Sequence, residues 1–384
     1  MEINIFKTVT IIDRENSLKY INKEGIAKLP KSITAIGKEA FYCCEQLEKI
    51  DLSECEKLGT IGDGAFKCCP SLKEVKLPKS LTAIGKEAFH FCKQLEKIDL
   101  SECEKLVIIG DGTFASCSSL KEIKLPKSIT AIGKEASYYC EQLEKIDLSE
   151  CEKLETIGDG TFNFCSSLKE VKLPKSITAI GESAFENCRQ LEKIDLSECE
   201  KLETIGDGAF KYCSSLKEAK LPKSITAIGE SAFSSCGQLE KIDLSECEKL
   251  ETIGDGTFSE CKSLKEVKLP KSITAIGESA FNSCGQLEKI NLSECDKLER
   301  IDDEAFKECE ALNDSFLASY FKRKEEKEIE VKRLKEEKLE AERKRKLKAE
   351  RKLKAEEESD KAAKIAGLIL LFMFILYLIL HFMI

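Results

Sequence analysis

Histidine is scarce: the chain of 384 residues has two, His90 and His381. A Ser/His/Asp or Cys/His pair needs an imidazole within reach of a nucleophile. His90 stands in a slot filled elsewhere by Ser, Asn or Glu, and His381 lies in the final apolar run, so neither is expected to serve one. The twenty cysteines include no C-x-x-C pair, and the one histidine close to a cysteine, His90 two residues before Cys92, falls short of the paired ligands a zinc site uses. "IGKEAF" and "IGDGAF" contain glycine but are not G-x-x-x-x-G-K-[ST], so no phosphate cradle is indicated. No catalytic, cofactor-binding or metal-binding residue is assigned, and no enzyme is expected.

Long apolar runs are also missing from the beginning. "MEINIFKTVTIIDRENSLKY" does not read as a secretory signal, so the body is expected to meet a reducing cytosol. Charge of one sign does not dominate uniformly. The formal net charge is −9, which splits into −14 for residues 1–321 and +5 for residues 322–364.

What is present is repetition. "LEKIDLSECEKL" at Leu47 returns unchanged at Leu95, Leu143, Leu191 and Leu239, and as "LEKINLSECDKL" at Leu287. The "LP" dipeptides from Leu29 to Leu269 fix a period of 48 residues. Each period is a doublet with steps of 25 and 23, Leu47 to Leu72 to Leu95. Leu47, Ile50, Leu52 and Cys55 follow L-x-x-L-x-L-x-x-C spacing, in which a short strand turns apolar residues inward and polar ones outward. One winding cannot bury its own apolar side, so the fold class predicted is a leucine-rich-repeat solenoid of about twelve stacked windings. Its short parallel strands are joined by turns, with the "AF..C" segment expected to form a short helix or 3-10 stretch.

The recurring "LP.S(I/L)T.IG..AF..C..L..I.L" between Leu29 and Leu312 resembles the BspA-like leucine-rich repeat of bacterial surface proteins and large protist families. That resemblance implies a right-handed solenoid that binds proteins or surfaces and catalyses nothing. It assigns no functional residue to any position.

Eighteen cysteines fall into two repeat-locked series: six after a strand (Cys55 to Cys295) and twelve in "AF..C" (Cys44 to Cys309). They read as reduced thiols in core ladders. Cys43 and Cys68 stand outside both series. The phenylalanine of "AF..C" recurs in every winding but one, where Ser137 replaces it. Either Tyr138 or Tyr139 is expected to lean into the gap, or the array is weakest there.

Alternation along the strands turns Lys49, Asp51, Glu74, Lys76, Lys97, Asp99, Glu122 and Lys124 outward, forming the candidate interaction face. With windings in register, one row reads Lys49, Glu74, Lys97, Glu122 and the next Asp51, Lys76, Asp99, Lys124, so opposite charges are neighbours. The lattice suits a multivalent surface for a repetitive partner, or duplication whose charges satisfy one another. Sequence variation concentrates around "AF..C", as in Tyr42-Cys43, His90-Phe91 and Asn163-Phe164.

Five segments are expected: an N-terminal cap at 1–28 that uses Ile3 to Phe6 and Val9 to Ile12, repeats at 29–312, a C-terminal cap at 313–321, a charged helical stalk at 322–364 and a transmembrane anchor at 365–384. The stalk has no sustained heptad seam among Leu334, Leu339, Leu347 and Leu353, so a single helix is favoured over a coiled-coil dimer. Its basic cluster is Arg343, Lys344, Arg345, Lys346, Lys348, Arg351, Lys352 and Lys354, suited to anionic lipid headgroups. The acidic body and a stalk without stacking aromatics argue against nucleic acid. "IAGLILLFMFILYLILHFMI", Ile365 to Ile384, is long enough to cross a bilayer. Lys361 and Lys364 before it favour a cytosolic body. The function expected is a membrane-tethered, non-enzymatic protein-interaction scaffold; the alternative is a cell-surface adhesin or antigen at the plasma membrane, with the body outside. Asn291 and Asn313 begin sequons that matter only in a secretory lumen.

Overall fold

Each winding must find lateral partners for its backbone, and the repeated apolar positions fix where they lie. The computed structural model describes residues 10–382, in two units, one ending at Asp314 and the other beginning at Ser315. In the first unit every winding contributes to two ladders of parallel strands. One ladder holds the predicted strands, among them Lys49–Asp51, Glu74–Lys76, Lys97–Asp99 and Glu122–Lys124. Ile50 pairs with Val75, Lys49 with Glu74 and Asp51 with Lys76, and the central residue of each strand is buried while its neighbours face out. Pairing spans three residues at the 25-residue steps. At the 23-residue steps it narrows to Glu122 with Lys145, or is interrupted between Lys76 and Lys97. Within this ladder pairing is therefore fuller inside a doublet than between doublets.

The second ladder was read from the sequence only as turns. It consists of two-residue strands, Ile11–Ile12, Ala35–Ile36, Thr60–Ile61, Ala83–Ile84 and their successors, each burying its second residue. The glycine that follows is required by crowding: a Cβ on Gly62 would lie 2.8 Å from the Lys38 nitrogen in the preceding winding.

The "AF..C" segment does not become a helix. Amides of Glu39, Phe41 and Cys43 donate to carbonyls of Asp63, Ala65 and Lys67 in the next winding at 2.9, 2.7 and 2.9 Å. The amides of Ala40, Tyr42 and Cys44 between them bond back three residues, to Gly37, Glu39 and Phe41. An α-helix needs every amide for its own i−4 carbonyl; here alternate donors are committed sideways, and a chain of tight turns results. Among the described residues 3-10 helix is confined to Leu18–Tyr20 and Leu292–Glu294.

Two residues per winding adopt left-handed backbone, four apart. They are Glu39 and Cys43 (φ 52° and 54°), then Gly64 and Cys68 (57° and 58°), and so on along the array. Left-handed backbone costs an L-residue roughly 1–2 kcal/mol, yet glycine takes the first position only in alternate windings.

Inside, the phenylalanines stack one winding above another with ring centroids 5.1 Å apart from Phe41 to Phe66 and 5.8 Å from Phe89 to Phe114. The stack breaks at Ser137, which is buried. Neither tyrosine fills the break: Tyr138 and Tyr139 are half-buried, and Tyr139 stacks instead on Phe164 outside the core at 4.4 Å.

Ile11–Ile12 pairs with Ala35–Ile36, and Ile26–Ala27 with Lys49 and Ile50, so residues 10–28 extend both ladders by a shortened winding of atypical sequence. The capping role expected for Ile3 to Phe6 falls outside the described residues. In the second unit Ser315–Phe382 is one continuous helix. It carries ion pairs of Arg333 with Glu330 and Glu337, and of Lys344 with Glu340 at 2.7 Å.

Candidate interaction surfaces

The strand face is a lattice of half-exposed charges. Lys49 meets Glu74 across the ladder at 3.4 Å and Lys76 meets Asp51 at 3.4 Å. Lys124 meets Asp99 at 3.9 Å and Glu122 at 3.7 Å, and Lys97 pairs in register with Glu122. All eight residues expected on this face are brought together on it. Each aspartate also closes the turn after its strand: Asp99 accepts from the Ser101 hydroxyl at 2.6 Å and the Ser101 amide at 3.1 Å. The Ser101 hydroxyl, against partial burial, holds the Asp99 carboxyl below the usual range, and Asp147 and Asp195 are held likewise by Ser149 and Ser197.

The final repeat departs from this plan. Asn291 replaces the aspartate, accepts from the Leu269 amide at 2.7 Å and donates to the Leu269 carbonyl at 3.0 Å. The side chain of that sequon is thus committed to backbone, whereas Asn313 is exposed.

The basic cluster Arg343, Lys344, Arg345, Lys346, Lys348, Arg351, Lys352 and Lys354 is exposed along the helix. At 3.6 residues per turn it surrounds the helix rather than forming one stripe.

The thiols form the expected core ladders, with acceptors that the sequence did not disclose. From Cys69 onward each "AF..C" thiol donates to the carbonyl of the preceding winding's Phe position, as Cys69 to Phe41 at 3.0 Å, Cys92 to Phe66 at 3.2 Å and Cys165 to Ser137 at 3.3 Å. The post-strand thiols donate to a proline carbonyl one winding back, Cys103 to Pro78 at 3.4 Å. In alternate windings Ser128 replaces that cysteine and donates to Leu106 at 2.6 Å. Burial pushes Cys103 and Cys151 up to about 11 and Cys69 and Cys261 up to about 12. Among the described residues all twenty cysteines are free, and no group of three or more potential metal ligands occurs.

A third surface lies along the variable dipeptides of the "AF..C" segments. The second residue of each variable dipeptide is the left-handed one, and in several windings it is aromatic: Phe91, Tyr139, Phe164 and Tyr212. Around Phe91 and Tyr139 a cleft of about 610 Å³ opens, lined also by His90, Glu135, Tyr138 and Glu141. Burial lowers the His90 pKa, and its Nδ1 has no hydrogen-bond partner. The available signal was the appearance of aromatics where other windings carry Ser, Asn or Glu.

The sequence matches the BspA type leucine rich repeat region (6 copies) over residues 2–106, 100–202, 130–251 and 184–313. Among solved structures it is similar to a leucine-rich repeat protein from Bacteroides ovatus, with 29% identity over 72% of this chain and 84% of that chain, TM-score 0.46. It is also similar to a leucine rich cell surface protein from Faecalibacterium prausnitzii, with 26% identity over 75% of this chain and 77% of that chain, TM-score 0.44. Comparison with curated protein sequences gives no match. With the family pattern covering most of the chain, both strand ladders in place and the thiol and phenylalanine series running through the core, the chain belongs to the BspA-type leucine-rich repeat family.

Proposed function

We propose that this protein is a non-enzymatic interaction scaffold whose repeat array is tethered to a membrane and lies on its cytosolic side. The observation that carries the reading is the helix Ser315–Phe382, which passes without a break from charged sequence into a segment whose apolar side chains, Ile365 to Ile379, are exposed. Leaving such a run in water is unfavourable at roughly 25 cal/mol per Å² of apolar surface. A bilayer satisfies it, because a helix bonds all its own backbone groups. The basic cluster from Arg343 to Lys354 supports contact with anionic headgroups, each cation contributing about 1 kcal/mol near such a surface. The excess of Lys and Arg ahead of the apolar run supports the cytosolic side.

Family membership supports a second reading, an adhesin displayed outside the cell. Two experiments on intact cells separate the possibilities. Removing residues 365–384 is expected to release the protein from the membrane fraction; unchanged sedimentation with membranes would end the tethering claim. Added protease should leave the array intact on the cytosolic reading, and cleavage without permeabilisation would assign it to the outside.

A further inference from the structure

Eighteen cysteines are explained by the ladders, and two are not. Cys43 is exposed and Cys68 is half-buried. Both occupy the second left-handed position of their winding, with φ of 54° and 58°, and they are 25 residues apart. The Cys43 amide donates to the Lys67 carbonyl at 2.9 Å, which sets the two windings side by side here.

The same arrangement recurs at five more 25-residue steps, and at two of them the side chains touch. Tyr139 and Phe164 share the 25-residue step, with φ of 58° and 59°. The Tyr139 amide likewise donates to Asn163 at 2.9 Å, and the two rings stack at 4.4 Å. Ser283 and Glu308 repeat it with φ of 58° and 59°, and the Ser283 hydroxyl donates to the Glu308 carboxylate at 2.8 Å. Like backbone angles aim the Cβ atoms alike, so the side chains of Cys43 and Cys68 stand side by side on neighbouring windings. Parallel neighbours about 4.8 Å apart fall inside the 4.4–6.8 Å window of Cα separations that a disulfide spans.

We infer that Cys43 and Cys68 form an exposed dithiol that exchanges with low-molecular-weight disulfides and closes into a bond linking two successive windings. In the first step the Cys43 thiolate attacks one sulfur of the small disulfide, forming a mixed disulfide and expelling one thiolate. In the second the Cys68 thiolate attacks the Cys43 sulfur and expels the other. Two protein thiols are oxidised to one disulfide, the small disulfide is reduced to two thiols, and the two protein protons pass to the departing thiolates. Burial pushes the Cys68 thiol up, which favours the exposed Cys43 as first nucleophile. Seventeen of the ladder thiols are buried and so shielded from the same reagent, while Cys309 in the last winding is half-buried.

The test uses the full chain in detergent micelles, fully reduced and then exposed to oxidised glutathione. Free thiols are blocked before and after denaturation, and peptides are mapped by mass spectrometry. The inference predicts one intramolecular Cys43–Cys68 bond, seventeen buried thiols blocked only after denaturation, and a melting temperature that rises on oxidation and returns on reduction. Cys68→Ser should halt at a glutathione adduct on Cys43, and Cys43→Ser should form no internal bond. Stable adducts on both cysteines of the unmutated chain, a Cys43 bond between two molecules, or no reaction at Cys43 would each overturn it. None of these outcomes depends on where the array resides, so the dithiol and the tethering stand or fall separately.

Discussion

Ser137 is the residue at which the core is incomplete. Every neighbouring winding presents a buried ring, and the backbone around Ser137 keeps the same lateral bond, from its amide to Thr161 at 2.9 Å. Ser137→Phe is therefore expected to raise stability by about 1–3 kcal/mol, since burying a ring is favourable and overpacking is limited where the fold already repeats that shape. A melting temperature no higher than that of the parent would contradict it. The ladder thiols give a second prediction at this scale. Their pKa values are raised in the folded protein, to about 11 for Cys103, Cys151 and Cys247 and about 12 for Cys69 and Cys261. Stability is then full below the ordinary thiol value of about 8.5 and falls as pH rises toward the folded values, because only the unfolded chain ionises in that interval. Urea midpoints under reducing conditions should match at pH 6 and pH 7 and drop sharply by pH 10. An unchanged midpoint at pH 10 would mean that the thiols are not buried.

At the scale of the element, the charged strand face contributes register more than energy. Lys172 meets Asp147 at 3.5 Å and Glu170 at 3.1 Å with about half of its side chain exposed. Lys172→Ala should cost less than about 1 kcal/mol. Like charges placed side by side along the ladder are a different matter, and deletion can create them. Removing residues 145–192, one doublet, keeps Lys facing Glu throughout and should leave a folded, slightly less stable array. Removing residues 145–169, one winding, sets Glu170 beside Glu122 and Lys172 beside Lys124. Denaturant titration of the two deletions should find the shorter one more damaging; the reverse order would show that alternation is incidental.

Much of this level was legible in the sequence. Strand register followed from the 25- and 23-residue steps because a period-two pattern with one buried face tolerates no slip. The turns were not legible. Left-handed positions are read from glycine, and here Glu39, Cys43, Phe91 and Tyr139 adopt that backbone because lateral hydrogen bonds hold the chain in place. The expected helix failed for the same reason. The thiol acceptors were hidden too, since a carbonyl one winding away leaves no trace in local sequence.

For the whole molecule, the array behaves as a one-dimensional stack in which each winding leans only on its neighbours. That organisation explains why identical residues recur, with Phe, Cys, Ile and Leu each finding a like partner one step away. Three features depart from repetition: the aromatic cleft at Phe91 and Tyr139, the Cys43 and Cys68 pair, and the apolar end of the long helix. The sequence marked the helix clearly and listed the variable dipeptides without showing that the left-handed backbone projects them along one edge.

The stacking itself is most directly tested by pulsed electron resonance between spin labels on equivalent strand positions. With one label at position 49 and the second at 145, 193 or 241, the labelled positions are four, six and eight windings apart. At a spacing of about 4.8 Å per winding the separations should grow steadily, by roughly 10 Å for each added doublet. Distances that fail to increase with each doublet would contradict the stacked array and every surface derived from it.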